Sequence, residues 1–331
     1  QAILAPNPEV VGCAGRHVRG MGRRKCKTCG TSTVSQCVSD IGTAELVALD
    51  LEFSGLFLSD NNIGQPLSIA EYFRKCANSV PRFLLLQLGV CCIRRRDDGR
   101  AWELRTHEFN LWPRGRQVFL ADLRSLQFLR AHGFDFNAFF AGGQEFSRLP
   151  APGAAATARA PGLAPATRVL HALRVAQVPL VVHNGFLDLL HLHDKFIGEL
   201  PGTLEEFAKS WTAHFPLLYD TRHVAQEGRY HVLRYAGGLS LEALHEHLRQ
   251  VTAAPAGFER AGSLGPGHCA HGSAGHDALL TAEVFLMEAE LWVRHWVSTA
   301  GRGRRLEARR LELGQALAPL HWQHLHARAA A

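Results

Sequence analysis

The sequence predicts an α/β fold on a sheet of mixed strand direction, and three observations carry that expectation. Leu46-Val-Ala-Leu49 is an uninterrupted apolar run of the kind a buried strand shows, and it ends in Asp50-Leu51-Glu52 just before a turn glycine. Phe83 to Arg94 and Trp102 to Trp112 are strand-like runs on either side of the turn signal Asp97-Asp98-Gly99, so an antiparallel hairpin is expected. Pro179 to Val182 is a short buried strand that feeds a helix from about Phe186 to Phe196, a second strand-to-helix delivery point. With 331 residues, 47% of them hydrophobic, the chain can fill the core of one large α/β domain with extensions, or of two domains.

The remaining elements follow in order. Residues 1–41 are rich in Gly, Arg and Cys with little periodicity and read as an irregular extension; the domain is expected over 42–297. Asp122 to Phe140 reads as helix broken at Gly133, and 152–166 as an Ala/Pro/Gly low-complexity loop. Thr167 to Ala176 is an amphipathic helix. A helix at Leu204 to His214, a short strand at Leu217 to Tyr219 and a helix near Leu241 to Leu248 come next. A Gly-rich loop, 262–275, precedes a long helix from Asp277 to about Trp296, and 298–331 is an Arg-rich extension with helical character.

A net charge of +6 and a pI near 9.0 favour a polyanionic partner, with RNA fitting on charge alone, although 30 acidic residues make this a biased surface and not a basic tail. The longest apolar run, Phe83 to Ile93, is interrupted by Gln87 and falls short of the ~20 residues that span a bilayer, so no membrane association is expected. Eight cysteines without a disulfide framework indicate an intracellular protein. Both methionines, Met21 and Met287, are internal, so Gln1 is not a translation start. A removed organellar presequence, with a mitochondrial location, and a trimmed start are the alternatives.

Asp50 and Glu52 lie on one side of a period-two pleat, and oxygen donors on one face suit magnesium or manganese. Ordinary solvated acids at a strand end are the competing reading. Asp188 stands one turn into its helix among Leu187, Leu189 and Leu190, an odd place for a solvated acid. Asp277 opens a mostly apolar helix, where an N-cap or first-turn acid stabilised by the helix dipole explains it equally well. Taken together, the four acids can hold two divalent metals ~3.5–4 Å apart, as phosphoryl transfer requires.

The order of these motifs resembles the DEDD family of 3′-exoribonucleases, within it the deadenylases related to poly(A)-specific ribonuclease. DLEFSGL resembles the first motif, FLLLQLGVCCIRR the second strand, and SLQFLRAHGFDFNAFF a characteristic helix and turn. HNGFLDLLHLHDKFIGELPGTLEEF resembles the second acidic motif, FPLLYDTRHVA a later strand, and AGHDALLTAEVF the third motif; the likeness covers roughly residues 43 to 290. It implies a ribonuclease-H-like mixed sheet with helices on both faces. It also implies Mg2+ or Mn2+ bound by Asp50, Glu52, Asp188 and Asp277, with Asp50 bridging, and hydrolysis from an RNA 3′ end, such as a poly(A) tail, releasing 5′-nucleotides. Relatives often dimerise, so a homodimer is one expected assembly.

The family's general base is a histidine five residues before the last aspartate, and here that position is Gly272. His271, six before, can take the role if the Gly-Ser-Ala-Gly loop lets it swing in. If it does not, the chain is a catalytically impaired homologue that serves as an RNA-binding architectural subunit of a ribonucleoprotein such as a mitochondrial ribosome. His183 and Asn184 match the family's pair, with a strand-end and turn role favoured; Asp220 matches the family too, but a strand-end or N-cap acid explains it as well as a site role does, and it is excluded from the ligands.

Cys13, Cys26, Cys29 and Cys37 form C-x12-C-x2-C-x7-C, a candidate zinc knuckle with free thiols as the alternative. Arg16, Arg19, Arg23, Arg24, Lys25 and Lys27 around it are placed to grip RNA phosphate. Arg302, Arg304, Arg305, Arg309 and Arg310 at the far end, interleaved with leucines, suit protein or RNA.

Overall fold

The computed structural model describes residues 33–58, 67–96, 101–115, 118–151, 162–226, 239–252, 258–262 and 273–299, with side chains in the last segment described through 291. The sheet is built on β1 (Leu46–Phe53), β2 (Leu85–Arg95) and β3 (Trp102–Pro113), joined as an antiparallel meander. Beyond β1, β5 (Leu180–Val182) and β6 (Leu218–Asp220) add in parallel. The outer edge of β3 is shared by β4 (Gln144–Phe146) at its end and β7 (Phe258–Gly262) at its start, both parallel to it. The order β4-β3-β2-β1-β5-β6 is the mixed, ribonuclease-H-like sheet that the sequence predicts.

Alternation along β1 assigns the two faces. Val47, Leu49, Leu51 and Phe53 enter one core, whereas Leu46 and Ala48 enter another, leaving Asp50 and Glu52 on that second face. The first core is covered by α1 (Val34–Ile41), α2 (Ile69–Ser79), α5 (Pro165–Ala176), α6 (Phe186–Leu192) and α7 (Leu204–Thr212). The second is covered by α10 (Ala274–Thr299), against which α9 (Leu241–Val251) packs. α3 (Leu123–Ala131) and α4 (Phe136–Ala141), separated at Gly133 as expected, share a smaller cluster with Leu84 and Leu86, and α8 (Thr221–Gln226) lies against α10. No described helix is long and apolar enough to cross a membrane.

One expectation needs correction. The folded domain starts before residue 42: the Thr33 hydroxyl accepts the Gln36 N–H (3.1 Å) and caps α1, whose Val34, Cys37 and Ile41 are buried in the core. Cys37 is fully buried there, and burial first, then the nearby Asp40, pushes its thiol well above the usual range, which favours the free-thiol alternative for this residue. Cys13, Cys26 and Cys29 and the arginines around them, like the C-terminal arginine cluster, lie outside the described residues.

Candidate active site

Asp50, Glu52 and Asp277 each place a carboxylate oxygen within 4.8 Å of the others'. Asp188 joins them: its charge is felt by both Asp50 and Glu52, and its own carboxylate accepts the backbone N–H of Leu51 on β1. All four are half-buried, lining a recess that water reaches but protein surrounds.

The four acids arrive on three elements. β1 brings Asp50 and Glu52 at alternate positions of one pleated face. Asp188 sits in the first turn of α6, which β5 reaches through His183-Asn184-Gly185, with Asn184 in the left-handed region (φ 54°). That turn is held by Asp220, whose carboxylate accepts the N–H groups of Asn184 (3.0 Å), Gly185 (3.1 Å), Arg222 (3.0 Å) and His223 (3.2 Å). Asp220 is thus a capping acid, as the sequence indicates. His183 pairs with Thr221 Oγ1 (2.7 Å) and the Leu239 carbonyl (3.1 Å), the strand-end role favoured for it.

Asp277 depends on a close approach of helix to sheet. Across the sheet Asp50, Gly89 and Glu108 stand in one row, with Glu52, Gln87 and Asn110 in another. Gln87 Oε1 accepts the Ala274 N–H (2.9 Å) and Glu108 Oε2 accepts the Gly275 N–H (3.1 Å), so two side chains of the sheet clamp the first turn of α10. Gly89 makes room for this, since a Cβ there would lie 1.8 Å from the Ala274 carbonyl oxygen. Ser273 closes the turn, its hydroxyl accepting the His276 N–H (3.2 Å) and its carbonyl the Asp277 N–H (3.1 Å).

Burial is the first cause of the site's electrostatics, and mutual repulsion is the second. Asp50 and Glu52 are held well above the ordinary carboxylate range by burial and then by the other acids. Asp188 is pushed up to about 8 and Asp277 to about 7, again first by burial. Sequence reading missed four further groups. Glu108 and Glu242 add negative charge, and the His132 imidazole lies close enough to favour the ionised Asp277. Tyr72 on α2 feels Asp188, and its ring meets Phe186 with centroids 5.7 Å apart. Only Glu108 left a signal, its inward phase on the third strand, and that has meaning only once the register is known. His271 lies outside the described residues.

The donor set fits hard divalent cations. Four carboxylates converge in one recess, the charges of described residues that act on Asp50 and Glu52 are negative, and oxygen-only donors are those magnesium and manganese take.

The fold and this acidic recess define a ribonuclease-H-like protein with a candidate two-metal centre. Residues 31–162 and 156–285 match the model of the CAF1 family ribonucleases, more than half of the chain. The chain belongs to the CAF1 ribonuclease family. It is 46% identical over 52 residues to poly(A)-specific ribonuclease PNLDC1 of Mus musculus, a match covering 16% of this chain and 10% of that protein. It is 40% identical over 57 residues to the pre-piRNA 3′-exonuclease trimmer of Bombyx mori, covering 17% and 11%. These matches span about a tenth of the relatives' lengths. The solved structure of S. pombe Pop2p in its Mg2+ and Mn2+ bound form superposes with a TM-score of 0.51 at 20% identity, covering 82% of this chain and 91% of that one, a likeness of fold.

Proposed function

We propose that this chain is a divalent-metal-dependent 3′-to-5′ exoribonuclease that trims RNA ends, adenylated ends among them. The observation that carries the reading is the convergence of Asp50, Glu52 and Asp277 oxygens within 4.8 Å, with Asp188 beside them. Family membership supports the ribonuclease class, and the names of the PNLDC1 and trimmer relatives support a 3′-end substrate.

Asp50 and Glu52 would hold Mg2+ or Mn2+ from β1, Asp188 from α6 and Asp277 from α10. Such ions, when bound, supply Lewis-acid polarisation of the phosphodiester and acidify water. The chain's own residues do the rest. The sheet and the α10 clamp fix where the carboxylates stand, and Asp220 holds the turn that aims Asp188. His271 accepts the proton released by the attacking water.

Single-turnover digestion of 5′-labelled A-tailed and U-tailed RNAs tests this, with the unmutated chain beside Asp50→Ala. Magnesium-dependent shortening from the 3′ end, lost in Asp50→Ala, is expected. RNA that is bound but never shortened would overturn the enzyme and leave an architectural RNA-binding subunit.

A further inference from the structure

On the face of the sheet opposite Asp50 and Glu52, but at the same end, lies a cleft of about 780 Å³. Four segments meet in it: α2 with Arg74, the end of β3 with Arg114, the residues after β4 with Arg148, and the turn after α6 with Lys195. Its lining carries two acids, Asp194 and Glu199. Asp194 is already matched by Lys195, whose Nζ donates to it (2.7 Å) and to the Val80 carbonyl (3.1 Å) and keeps a third N–H for a ligand. Arg114 pairs with Glu145 (3.2 Å) at the surface, both side chains more than half exposed, and such a pair yields easily to a stronger anion. Arg74 and Arg148 are exposed at the rim. Between the cations the lining is mixed, with Pro81, Pro113 and Phe146 beside Asn78 and Ser147.

Two elements connect this cleft to the acidic recess. α2 turns Tyr72 toward Asp188 and Phe186 and presents Arg74 to the cleft. α6, with Asp188 in its first turn, runs on into the turn that carries Lys195, roughly 10 Å further along at about 1.5 Å per residue. We infer that the cleft is a subsite for the phosphodiester backbone of the RNA strand 5′ to the end being removed, held by Arg74, Arg148 and Lys195. A negatively charged strand entering a recess of four carboxylates needs compensating cations along its path, and guanidinium forks match phosphate oxygens bidentately. The prolines and Phe146 suit the uncharged sugar faces. The assignment rests on the proposed RNA reading of the acidic recess and adds where the rest of the strand lies.

The test uses the full chain in EDTA, where metal-dependent hydrolysis is off, with fluorescent oligoadenylates of roughly 4–16 nucleotides, the site sizes common among single-strand binders. Affinity is expected to rise with length. Arg74→Gln/Arg148→Gln should abolish that rise, weakening the longest RNA roughly tenfold and lowering the salt slope by about 0.7 per lost phosphate contact, while the shortest RNA binds as before. Glu199→Gln should tighten long RNA, a gain that misfolding cannot produce. In magnesium, the double variant should raise KM for long RNA with kcat unchanged. Length dependence and salt slope unaltered in both variants would overturn the subsite. Competition by AMP that removes the length dependence would assign the cleft to free nucleotides and also overturn it. Normal length-dependent binding without any hydrolysis in magnesium would keep the cleft and sink the enzymatic reading alone.

Discussion

Replacing Gly89 with alanine separates the geometry of the site from ordinary strand energetics. Adding a methyl group in mid-strand removes glycine's excess unfolded-state entropy, which by itself stabilises by about 0.4–1 kcal/mol. At Gly89 that Cβ would sit 1.8 Å from the Ala274 oxygen, 2.2 Å from its carbonyl carbon and 2.6 Å from the Gly275 nitrogen, all of them backbone. Ordinary contact begins near 3.4 Å, so the first turn of α10 must retreat by about 1.6 Å. The retreat breaks the Ala274 N–H bond to Gln87 and the Gly275 N–H bond to Glu108, at about 1 and 2 kcal/mol, and overpacking adds about 1–3 kcal/mol. A net loss of about 3–5 kcal/mol is expected, measured by urea unfolding with m unchanged. Asp277 moves with its helix, and displacement on that scale costs about 10²-fold in rate. Single-turnover RNA shortening at temperatures where Gly89→Ala is still folded reads the second effect, with weaker apparent magnesium affinity beside it. A stabilised Gly89→Ala protein that shortens RNA within a few-fold of the parent would refute the clamp.

The metal-free protein should lose stability as pH rises. Asp188 and Asp277 titrate near 8 and 7 in the fold against 3.8 unfolded, so the native state holds protons that the unfolded chain has released. Between pH of about 4 and 8 the thermal midpoint in EDTA should fall by several degrees, on the order of 1–2 kcal/mol once water access is allowed for, and magnesium should flatten the slope; a midpoint rising over that window contradicts the assignment. His271→Ala should slow single-turnover hydrolysis ~10²–10⁴-fold with metal and RNA affinity intact, and a rate within a few-fold of the parent moves the proton acceptor elsewhere. Cys37→Ser buries a hydroxyl in the apolar core and should cost about 1–3 kcal/mol without altering zinc content by elemental analysis; zinc lost with the substitution would reinstate Cys37 as a ligand.

The parts of the fold that were legible in the sequence are those where one segment carries its own pattern. β1 with its two acids, the β2–β3 pair, the β5-to-α6 turn and α10 each announce themselves by a continuous apolar run or a clear period, and the structure has all of them. α1 escaped because its eight residues follow a Gly- and Arg-rich stretch that swamps so short a period. α2 escaped despite a usable signal, the Ser68-x-x-Glu71 capping box, in which Ser68 N–H donates to Glu71 (2.8 Å) and Glu71 N–H to Ser68 Oγ (3.3 Å). Other features cannot be read from any segment alone. The row Asp50–Gly89–Glu108 exists only at one register across three strands, and a slip of one residue would turn Glu108 to the other face. The basic cleft gathers single residues from four separated segments. Spacing made Cys37 a zinc candidate, whereas its burial, to which spacing is blind, favours a free thiol.

Two buried acids elsewhere, Glu283 and Asp40, contrast with the four and support reading them as a cation site, although Glu288 of α10 is also buried, with burial pushing its carboxyl up. Glu283 of α10 accepts from Arg260 twice (2.6 and 2.9 Å) and meets His245 (2.7 Å), while Asp40 meets His107 (2.8 Å) and Arg105 (3.1 Å). Those acids tie elements together, and removing one would leave its partners unmatched. Among the described residues, the charges that act on Asp50 and Glu52 are those of other acids. A carboxylate kept for structure and one kept for a cation then predict opposite signs for the same neutral substitution. Asp188→Asn retains an oxygen that can accept the Leu51 N–H and removes one charge from the cluster. Its metal-free midpoint at pH 8 should rise or hold, magnesium should no longer raise it, and RNA shortening should be lost. A metal-free Asp188→Asn protein destabilised by several kcal/mol, with magnesium still stabilising it, would make Asp188 a structural acid and take it out of the ligand set.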